Sequence, residues 1–257
     1  MRPVACLLLL TGLSTLAACS RGLDVEIPNN DSAALVEAIR LANASPGHDT
    51  VRLARNGLYI LTKEVQAGLL LPVLGGELTI EGNYAEIRGY AAGPAALVEV
   101  SQDAQVVMRN LLLAEGTEGA LRNYGDLRLE RVAIVDSSVD HMPAIVLNHG
   151  HLEAKDSQIA FNLLLATRRD SGTVLNYGEI LLENSRIHDN RALGRQPSVA
   201  VSGGILNFGS VKVDGLVLDN NTMDAEDGPL LSFGGILNLG NGRVKEGLNN
   251  SPRCGRQ

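Results

Sequence analysis

Apolar and polar positions repeat together along the second half of the chain. The tripeptide Asn-x-Gly occurs five times, with spacings of 25, 28, 31 and 31 residues, and its first residues are Asn123, Asn148, Asn176, Asn207 and Asn238. The side chain two residues before each Asn is aliphatic, and the side chain four residues before it is Gly or Ala. Columns that align at this period predict a solenoid built from stacked coils.

Short runs of alternating apolar and polar residues follow each tripeptide. The segment Leu127-Arg128-Leu129-Glu130 is the clearest example, and this alternation predicts a half-buried strand. We expect each Asn-x-Gly to bend the chain sharply, because Asn tolerates and Gly prefers a positive φ. Equivalent residues of stacked coils lie about 4.8 Å apart, so the five Asn residues are predicted to be structural turn residues that form a ladder.

The first half of the chain shows the same alternation less regularly and begins with a helix signal. Short strand-like runs such as Val51-Arg52-Leu53 and Leu78-Thr79-Ile80 indicate roughly three more coils, giving about eight in all. Before them, Asp31-Ser32 can cap a helix over residues 33–44 that ends before Gly47. Such a helix would cover the open first coil.

Two groups of motifs resemble known bacterial proteins. The run from Leu35 to Asn43, followed by Asp49–Leu53 and Gly57–Tyr59, resembles the start of right-handed parallel β-helix surface proteins. The later units are similar to repeats of the polymorphic outer membrane proteins, through Gly-Gly-Ile elements and aliphatic-x-x-Asn elements: Gly203-Gly204-Ile205, Gly234-Gly235-Ile236, Ile159-x-x-Asn162, Ile187-x-x-Asn190 and Leu218-x-x-Asn221. The resemblance implies an all-β fold, a single right-handed parallel β-helix of the pectate-lyase (pectin lyase) type. We expect residues 31–257 to form this one domain, with a helical cap over 31–45.

The N-terminus predicts export and lipid anchoring. Met1-Arg2 is followed by a mostly apolar stretch, Val4–Leu16, which is too short for a stable membrane span. It ends in Leu16-Ala17-Ala18-Cys19, which resembles a bacterial lipobox and implies a signal peptide over residues 1–18, acylation of Cys19 and a tether over 19–30. Ser20 after the Cys implies the outer membrane. The alternative is an ordinary signal peptide with an incidental Cys.

Charge and cysteine usage narrow the function classes. The chain has 22 Lys plus Arg and 29 Asp plus Glu, and loss of Arg2 with the signal leaves 21 − 29 = −8. This balance argues against nucleic acid as a partner. Cys6 leaves with the signal and Cys19 is acylated, so Cys254 remains single and no intramolecular disulfide is expected.

Three insertions are the candidate binding segments. They follow the second Asn of successive coils, over residues 163–171, 191–202 and 222–233, and we expect them at one edge of the solenoid. The first two carry the candidate binding residues Arg168, Arg169, Arg191 and Arg195, which suit anionic groups. The alternative is that these arginines pair with Asp170 and neighbouring acids.

The third insertion raises the question of a cofactor. It carries Asp224, Glu226 and Asp227, which suggest calcium, but the spacing is not that of an EF-hand and a solvated loop is favoured. His149 and His151 flank a turn Gly without an evident third ligand. The sequence therefore predicts no metal and no cofactor, with calcium as the remaining alternative.

Candidate acid–base residues are few. Asp136 and Asp189 share a column two coils apart, about 9.6 Å by strand spacing, which is near the carboxylate separation of an inverting glycosidase. Phe161 lies between them, so a turn role is favoured. His188 precedes Asp189, but neighbours in a strand point to opposite faces, which argues against a base and its orienter.

One column carries rings: Tyr124, His149, Tyr177 and Phe208, with Leu239 completing it. If the column points outward it could hold a glycan, and if it points inward it belongs to the core. We favour core or half-buried packing, because aromatic side chains usually fill interiors.

Two function classes follow from the sequence. The first is a noncatalytic, adhesin-like lipoprotein of the bacterial envelope that binds a glycan or an envelope partner. The second is a polysaccharide lyase or glycoside hydrolase that acts on an acidic polysaccharide, which rests on analogy of fold alone. We expect the first, because no catalytic constellation stands out in the sequence.

Overall fold

The structure, a computed structural model, describes residues 22–166, 170–194, 200–225, 231–240 and 249–250. Within these residues the chain forms one helix, α1 (Ser32–Ala44), and 24 strands. In chain order the strands are β1 (Asp24–Ile27), β2 (His48–Leu53), β3 (Leu58–Leu61), β4 (Glu77–Gly89), β5 (Val98–Val100), β6 (Gln105–Ala114), β7 (Leu121–Asn123), β8 (Asp126–Val135), β9 (Ser138–Val139), β10 (Ala144–Asn148), β11 (His151–Lys155), β12 (Gln158–Ala160), β13 (Leu163–Ala166), β14 (Asp170–Asn176), β15 (Glu179–Glu183), β16 (Arg186–His188), β17 (Arg191–Gly194), β18 (Ala200–Asn207), β19 (Ser210–Asp214), β20 (Val217–Asp219), β21 (Thr222–Ala225), β22 (Leu231–Phe233), β23 (Ile236–Asn238) and β24 (Asn249–Asn250).

Parallel pairing between successive coils builds three sheets from these strands. In the described residues the first sheet has 13 strands and runs from β1 through β2, β4, β6 and β8 to β24. The second sheet has seven strands, centred on β10, β14 and β18, and the third has four, β9, β13, β17 and β21. The predicted parallel β-solenoid is confirmed, with about seven turns instead of about eight.

The columns read from the sequence are columns in space. The residues four after the first four Asn residues pair in register along the first sheet, and all of them are buried: Leu127, Leu152, Ile180 and Val211. The aliphatic residues eleven after these Asn residues do the same in the adjoining strands. Because each coil adds one residue to every column, the interior is a continuous apolar rod.

The N-terminal helix closes the first coil, as predicted. The Asp31 carboxylate accepts a hydrogen bond from the Ala34 backbone N–H at 2.9 Å, and the helix ends at Ala44, three residues before Gly47. Leu35 and Ile39 are fully buried in the same apolar cluster as the solenoid interior. The segment Asp24–Ile27, assigned to the tether from the sequence, instead forms β1 and pairs with β2.

The chain bends at the Asn-x-Gly tripeptides, as predicted, where it passes from the second sheet to the first, but the positive φ expected there is absent. No Asn or Gly of the five tripeptides, all of which are described, has a positive φ. Left-handed residues instead occur eight and thirteen positions after the Asn residues, with φ between 46° and 65°: Arg131, Asp156, Asn184 and Gly215, then Asp136, Phe161, Asp189 and Asn220. A single residue in this conformation turns the chain from one strand to the next.

The glycines of the tripeptides are required for close stacking. A Cβ built on Gly178 would lie 2.0 Å from the carbonyl oxygen of Gly150, and one on Gly209 would lie 2.1 Å from that of Gly178. The backbone of each coil therefore rests directly on the glycine of the coil before it, which leaves no room for a side chain.

Candidate functional site

The five Asn side chains form a buried amide ladder. Nδ2 donates to the Oδ1 of the next Asn at 2.8, 2.7, 2.6 and 2.8 Å along the series Asn123, Asn148, Asn176, Asn207 and Asn238. The first four are fully buried, and each Nδ2 also contacts the carbonyl oxygen of its own tripeptide glycine. The ladder thus ties coils together and faces the interior.

A second amide ladder runs along the base of the insertions. Asn162 donates to Asn190, and Asn190 donates to Asn221, each from Nδ2 to Oδ1 at 2.9 Å. Asn162 and Asn190 are buried, and their Nδ2 atoms also donate to the backbone carbonyls of Ile134 and Ile159. This ladder fixes the point where each insertion leaves the first sheet.

The ring column points outward instead of into the core. Tyr124 and Tyr177 are 37% and 44% exposed, so of the two favoured possibilities, core or half-buried packing, the column is half-buried. The rings of Tyr124, His149, Tyr177 and Phe208 stack with centroids 5.3, 4.9 and 5.3 Å apart and interplanar angles of 7–12°. Because stacking covers the inner ring faces, the surface offers ring edges, which suit sugar stacking poorly.

The insertions begin and end in register. Leu163, Arg191 and Thr222 pair across the third sheet, and Asp170 pairs with Ala200 in the second sheet. Each insertion therefore leaves one sheet and enters the next at equivalent positions, so the described ends of the three insertions are neighbours. We call this side, residues 163–171, 191–202 and 222–233, the insertion edge.

Of the four candidate arginines, Arg191 is described, while Arg168, Arg169 and Arg195 lie outside the described residues. The Arg191 guanidinium donates to Asp224 from Nη2 at 3.0 Å and from Nε at 3.2 Å. Both side chains are more than half exposed. Asp224, the described member of the calcium candidate, is thus engaged with a cation, and Glu226 and Asp227 lie outside the described residues.

The two candidate catalytic acids are bend residues. Asp136 and Asp189 both have a positive φ, as does Phe161 in the coil between them. The side chain of Phe161 is 56% exposed. The structure therefore places a ring, and no open cleft, between the two carboxylates.

Asp189 contacts His188, a pairing that strand alternation argued against. Its Oδ2 lies 2.7 Å from Nδ1 of His188, and its Oδ1 accepts from Asn220 at 2.9 Å. The side chains of neighbouring residues meet because Asp189 is at a left-handed bend, where strand alternation ends. The hydrogen bond with His188, followed by that with Asn220, lowers the pKa of the Asp189 carboxyl.

His188 is the better enclosed member of this pair. It lies between Ala160 and Asp219 in the first sheet, with 13% of its side chain exposed. The Phe161 ring meets it edge-on, with centroids 5.5 Å apart and an interplanar angle of 84°. A His held by a carboxylate is the arrangement of a base with its orienter.

The two remaining candidate metal ligands, His149 and His151, make different contacts. His149 belongs to the ring column, whereas Nδ1 of His151 lies 3.5 Å from Glu179. Across the described part of the chain, no group of three or more His, Cys, Asp or Glu residues could hold a metal ion. Cys19, the predicted lipidation site, precedes the first described residue, and no described helix has the length and apolarity to cross a membrane.

The outer face of the first sheet carries a row of ion pairs between neighbouring coils, which the sequence analysis did not predict. Arg109 contacts Glu130 at 3.0 Å, Arg128 contacts Glu153 at 2.8 Å, and Lys155 contacts Glu183 at 3.4 Å. Alternating charge signs at equivalent repeat positions were the available signal, since opposite charges one coil apart become neighbours.

Comparison of the chain with protein-family models, with curated proteins and with solved structures finds no match. The function is therefore argued from the chain's own residues.

Proposed function

We propose that this protein is a noncatalytic β-solenoid lipoprotein of the bacterial envelope that binds a glycan or an envelope partner along its insertion edge. The observation that carries the proposal is the register of the insertions. Leu163, Arg191 and Thr222 start three successive insertions at equivalent positions on adjacent coils. Loops on a rigid scaffold that lie side by side make the usual binding surface of a solenoid.

Lipid anchoring at Cys19 would place this scaffold at a membrane. The Leu16-Ala17-Ala18-Cys19 motif supports it, and Ser20 favours the outer membrane. The tether is short, because β1 begins at Asp24. The helical cap then lies close to the anchor, and the coils that carry the insertions come later in the stack.

Anionic groups are the ligand chemistry that fits the insertion edge. The first two insertions carry four arginines and one acid, Asp170, on a mature chain of net charge 21 − 29 = −8, and Arg bonds carboxylate or sulfate in a bidentate way. The Arg191–Asp224 pair does not prevent this, because an exposed ion pair contributes about 0–1 kcal/mol and can exchange its partner. Each charged hydrogen bond to a ligand contributes about 1.5–3 kcal/mol.

The outer sheet face supports a noncatalytic role. Glu130, Glu153 and Glu183 each contact a neighbouring cation, so these carboxylates stabilise the stack. A metal-dependent lyase would instead need carboxylates that converge on one point.

The test is a double charge reversal, Arg168→Glu with Arg191→Glu, in the full acylated chain. We expect binding to anionic polysaccharides and to envelope fractions to fall at least about tenfold, the effect of losing one charged hydrogen bond. The matched control, Arg40→Glu with Arg186→Glu, makes the same change in net charge at two exposed positions away from the insertions. Equal loss of binding in both double variants would show that net charge alone causes the effect. Unchanged binding in the Arg168/Arg191 variant would mean that the binding surface lies elsewhere.

The His188–Asp189 pair favours a second candidate, a polysaccharide lyase or glycoside hydrolase. The test is incubation with acidic polysaccharides, with and without added calcium, followed by measurement of new chain ends. The enzyme hypothesis requires new polysaccharide chain ends with the wild type and none with His188→Gln. The proposed binding role predicts no new ends with either protein.

A further inference from the structure

A hollow of about 410 Å³ opens at the bend of the first coils, away from the insertions. Glu26, Arg52, Leu53, Arg55 and Asn83 contribute to its lining. Its size falls in the usual range of about 300–1,000 Å³ for small-ligand sites.

The hollow exists because the bends of these coils are longer than those of the later repeats. Four residues, 54–57, connect β2 to β3. In the next coil the register of β4 with β6 shifts between Glu81 and Ala85, so three residues stand opposite the single bend residue Asn110. The additional residues in these two coils interrupt the column of one-residue bends. The space between the two longer bends is open to a ligand.

The lining offers one free cation and two acceptors. Within the described residues Arg55 forms no ion pair and no hydrogen bond, whereas Arg52 is held by Asp24 through two hydrogen bonds of 3.0 and 3.1 Å. The Nδ2 atom of Asn83 donates to the Leu53 carbonyl at 2.9 Å, which leaves its Oδ1 without a described donor. The Glu26 carboxylate adds further acceptor capacity.

An aromatic residue in a strained conformation follows the lining residue Asn83. Tyr84 has φ 65°, which is unfavourable for a bulky side chain, and it is 67% exposed. It stacks on no other described ring, in contrast to the ring column. Other bend residues share a positive φ, so the feature that matters here is the exposed ring, which lies next to the lining of the hollow.

We propose that this hollow binds a sugar acid. Arg55 takes the single carboxylate, the Glu26 carboxylate and Asn83 Oδ1 accept hydrogen bonds from hydroxyls, and the Tyr84 ring packs against the sugar face. Glu26 disfavours ligands with several charges, such as sulfated or phosphorylated groups, because like charges in one site repel. The site shares only its ligand class with the proposed function and stands even if the insertion edge binds nothing.

The experiment is titration of the full chain in detergent with glucuronate, with glucose as the uncharged control, followed by calorimetry and by amide chemical shifts. We expect glucuronate to shift amides of residues 26–27, 52–57 and 82–84, and glucose to bind at least tenfold more weakly. Arg55→Glu should abolish glucuronate binding, whereas Arg186→Glu should leave it intact. Retained affinity in Arg55→Glu, or shifts confined to other coils, would overturn the proposal.

A second variant separates binding from structure. Tyr84→Gly removes the strained side chain, so the melting temperature should stay the same or rise while glucuronate affinity falls about tenfold. A purely structural Tyr84 would give a lower melting temperature with unchanged affinity. Because none of these residues lies on the insertion edge, failure here leaves the Arg168 and Arg191 test unaffected.

Discussion

Asn176 and Asn207 occupy equivalent positions in adjacent coils, and the side chain of the first donates to that of the second at 2.6 Å. Both are fully buried. The Oδ1 atom of each Asn is therefore satisfied by the preceding coil and its Nδ2 partly by the following one. This makes neighbouring coils depend on one another, as expected for a solenoid stabilised by nearest-neighbour contacts.

Asn207→Ala should lower the stability by about 1–3 kcal/mol, the effect of an unsatisfied buried polar group. The loss of stability should lie near the lower end of this range, because the Nδ2 of Asn176, which loses its Asn207 acceptor, still donates to the Gly178 and Ser210 carbonyls. A melting temperature lower by several degrees, with ligand binding unchanged, is the expected result. Gln158→Ala, which removes an exposed amide, is the control. Equal effects of the two substitutions would contradict a structural ladder.

Gly178→Ala should be far more damaging than its one methyl group suggests. The added Cβ would meet the Gly150 carbonyl oxygen at 2.0 Å, and a backbone atom cannot move aside as a side chain can. We expect loss of several kcal/mol or no folded protein, read from thermal unfolding and soluble yield. Gly93→Ala, where the nearest atom is the Glu64 carboxylate at 3.4 Å, should be tolerated. A folded Gly178→Ala with wild-type melting temperature would mean that the coils are spaced differently.

Tyr177→Ala tests whether the ring column stabilises the fold. It removes two stacked contacts, with His149 and Phe208, each expected to contribute about 0.5–1.5 kcal/mol. Chemical unfolding should show that loss, while Tyr90→Ala, which removes a ring that is 73% exposed, should change little. Wild-type stability combined with lost glycan binding would restore the interpretation of the column as a glycan stripe.

Stability should depend on pH through Asp189. Hydrogen bonds from His188 and Asn220 hold its pKa below the value of about 3.9 typical of an unfolded chain. A carboxylate with a lowered folded-state pKa stabilises above the unfolded pKa, and the contribution disappears as pH falls through the folded one. The difference in unfolding free energy between the wild type and Asp189→Asn should thus be constant above about pH 5 and shrink below about pH 4. A difference that does not vary over this range would contradict the effect.

Cys19→Ser should abolish lipid labelling and release the protein from membranes. The reason is that acyl chains provide the anchoring, since more than one chain is needed for firm attachment. Metabolic labelling with a fatty acid and membrane fractionation at high salt measure both effects. Cys254→Ser is the control and should remain attached. Retention of Cys19→Ser in the membrane fraction would contradict lipidation at this residue.

The repeat columns made the fold predictable, because a stacked coil puts equal sequence offsets above one another. Leu127, Leu152, Ile180 and Val211 could be aligned by counting from each Asn, and the structure pairs them in that order. The same counting would have located the bends, since Arg131, Asp156, Asn184 and Gly215 share one offset. Their different chemistry hid the shared φ, whereas at Asn-x-Gly the bend itself was predicted correctly, but from a positive φ that the backbone does not have.

The candidate sites were less predictable from the sequence, because they lie where the strand alternation or the coil repeat is interrupted. The pairing of His188 with Asp189 follows from a bend conformation that alternation along a strand cannot anticipate. The hollow beside Arg55 follows from extra bend residues in coils whose repeat is weak. Arg191 was found from its position in an insertion, but its contact with Asp224 required the register of β17 with β21.

The unequal spacings of 25, 28, 31 and 31 residues have a consequence for how such a protein can change. From each of the first four Asn residues to the start of the third sheet the offset is constant, fifteen residues, as from Asn148 to Leu163 and from Asn176 to Arg191. Except for one residue at the bulge between β14 and β18, the variation in length falls after that point, along the insertion edge. Residues gained or lost there leave every glycine contact and every amide rung in place. The insertions can therefore change in length and sequence during evolution while the stacked coils stay the same, so that binding can evolve independently of folding.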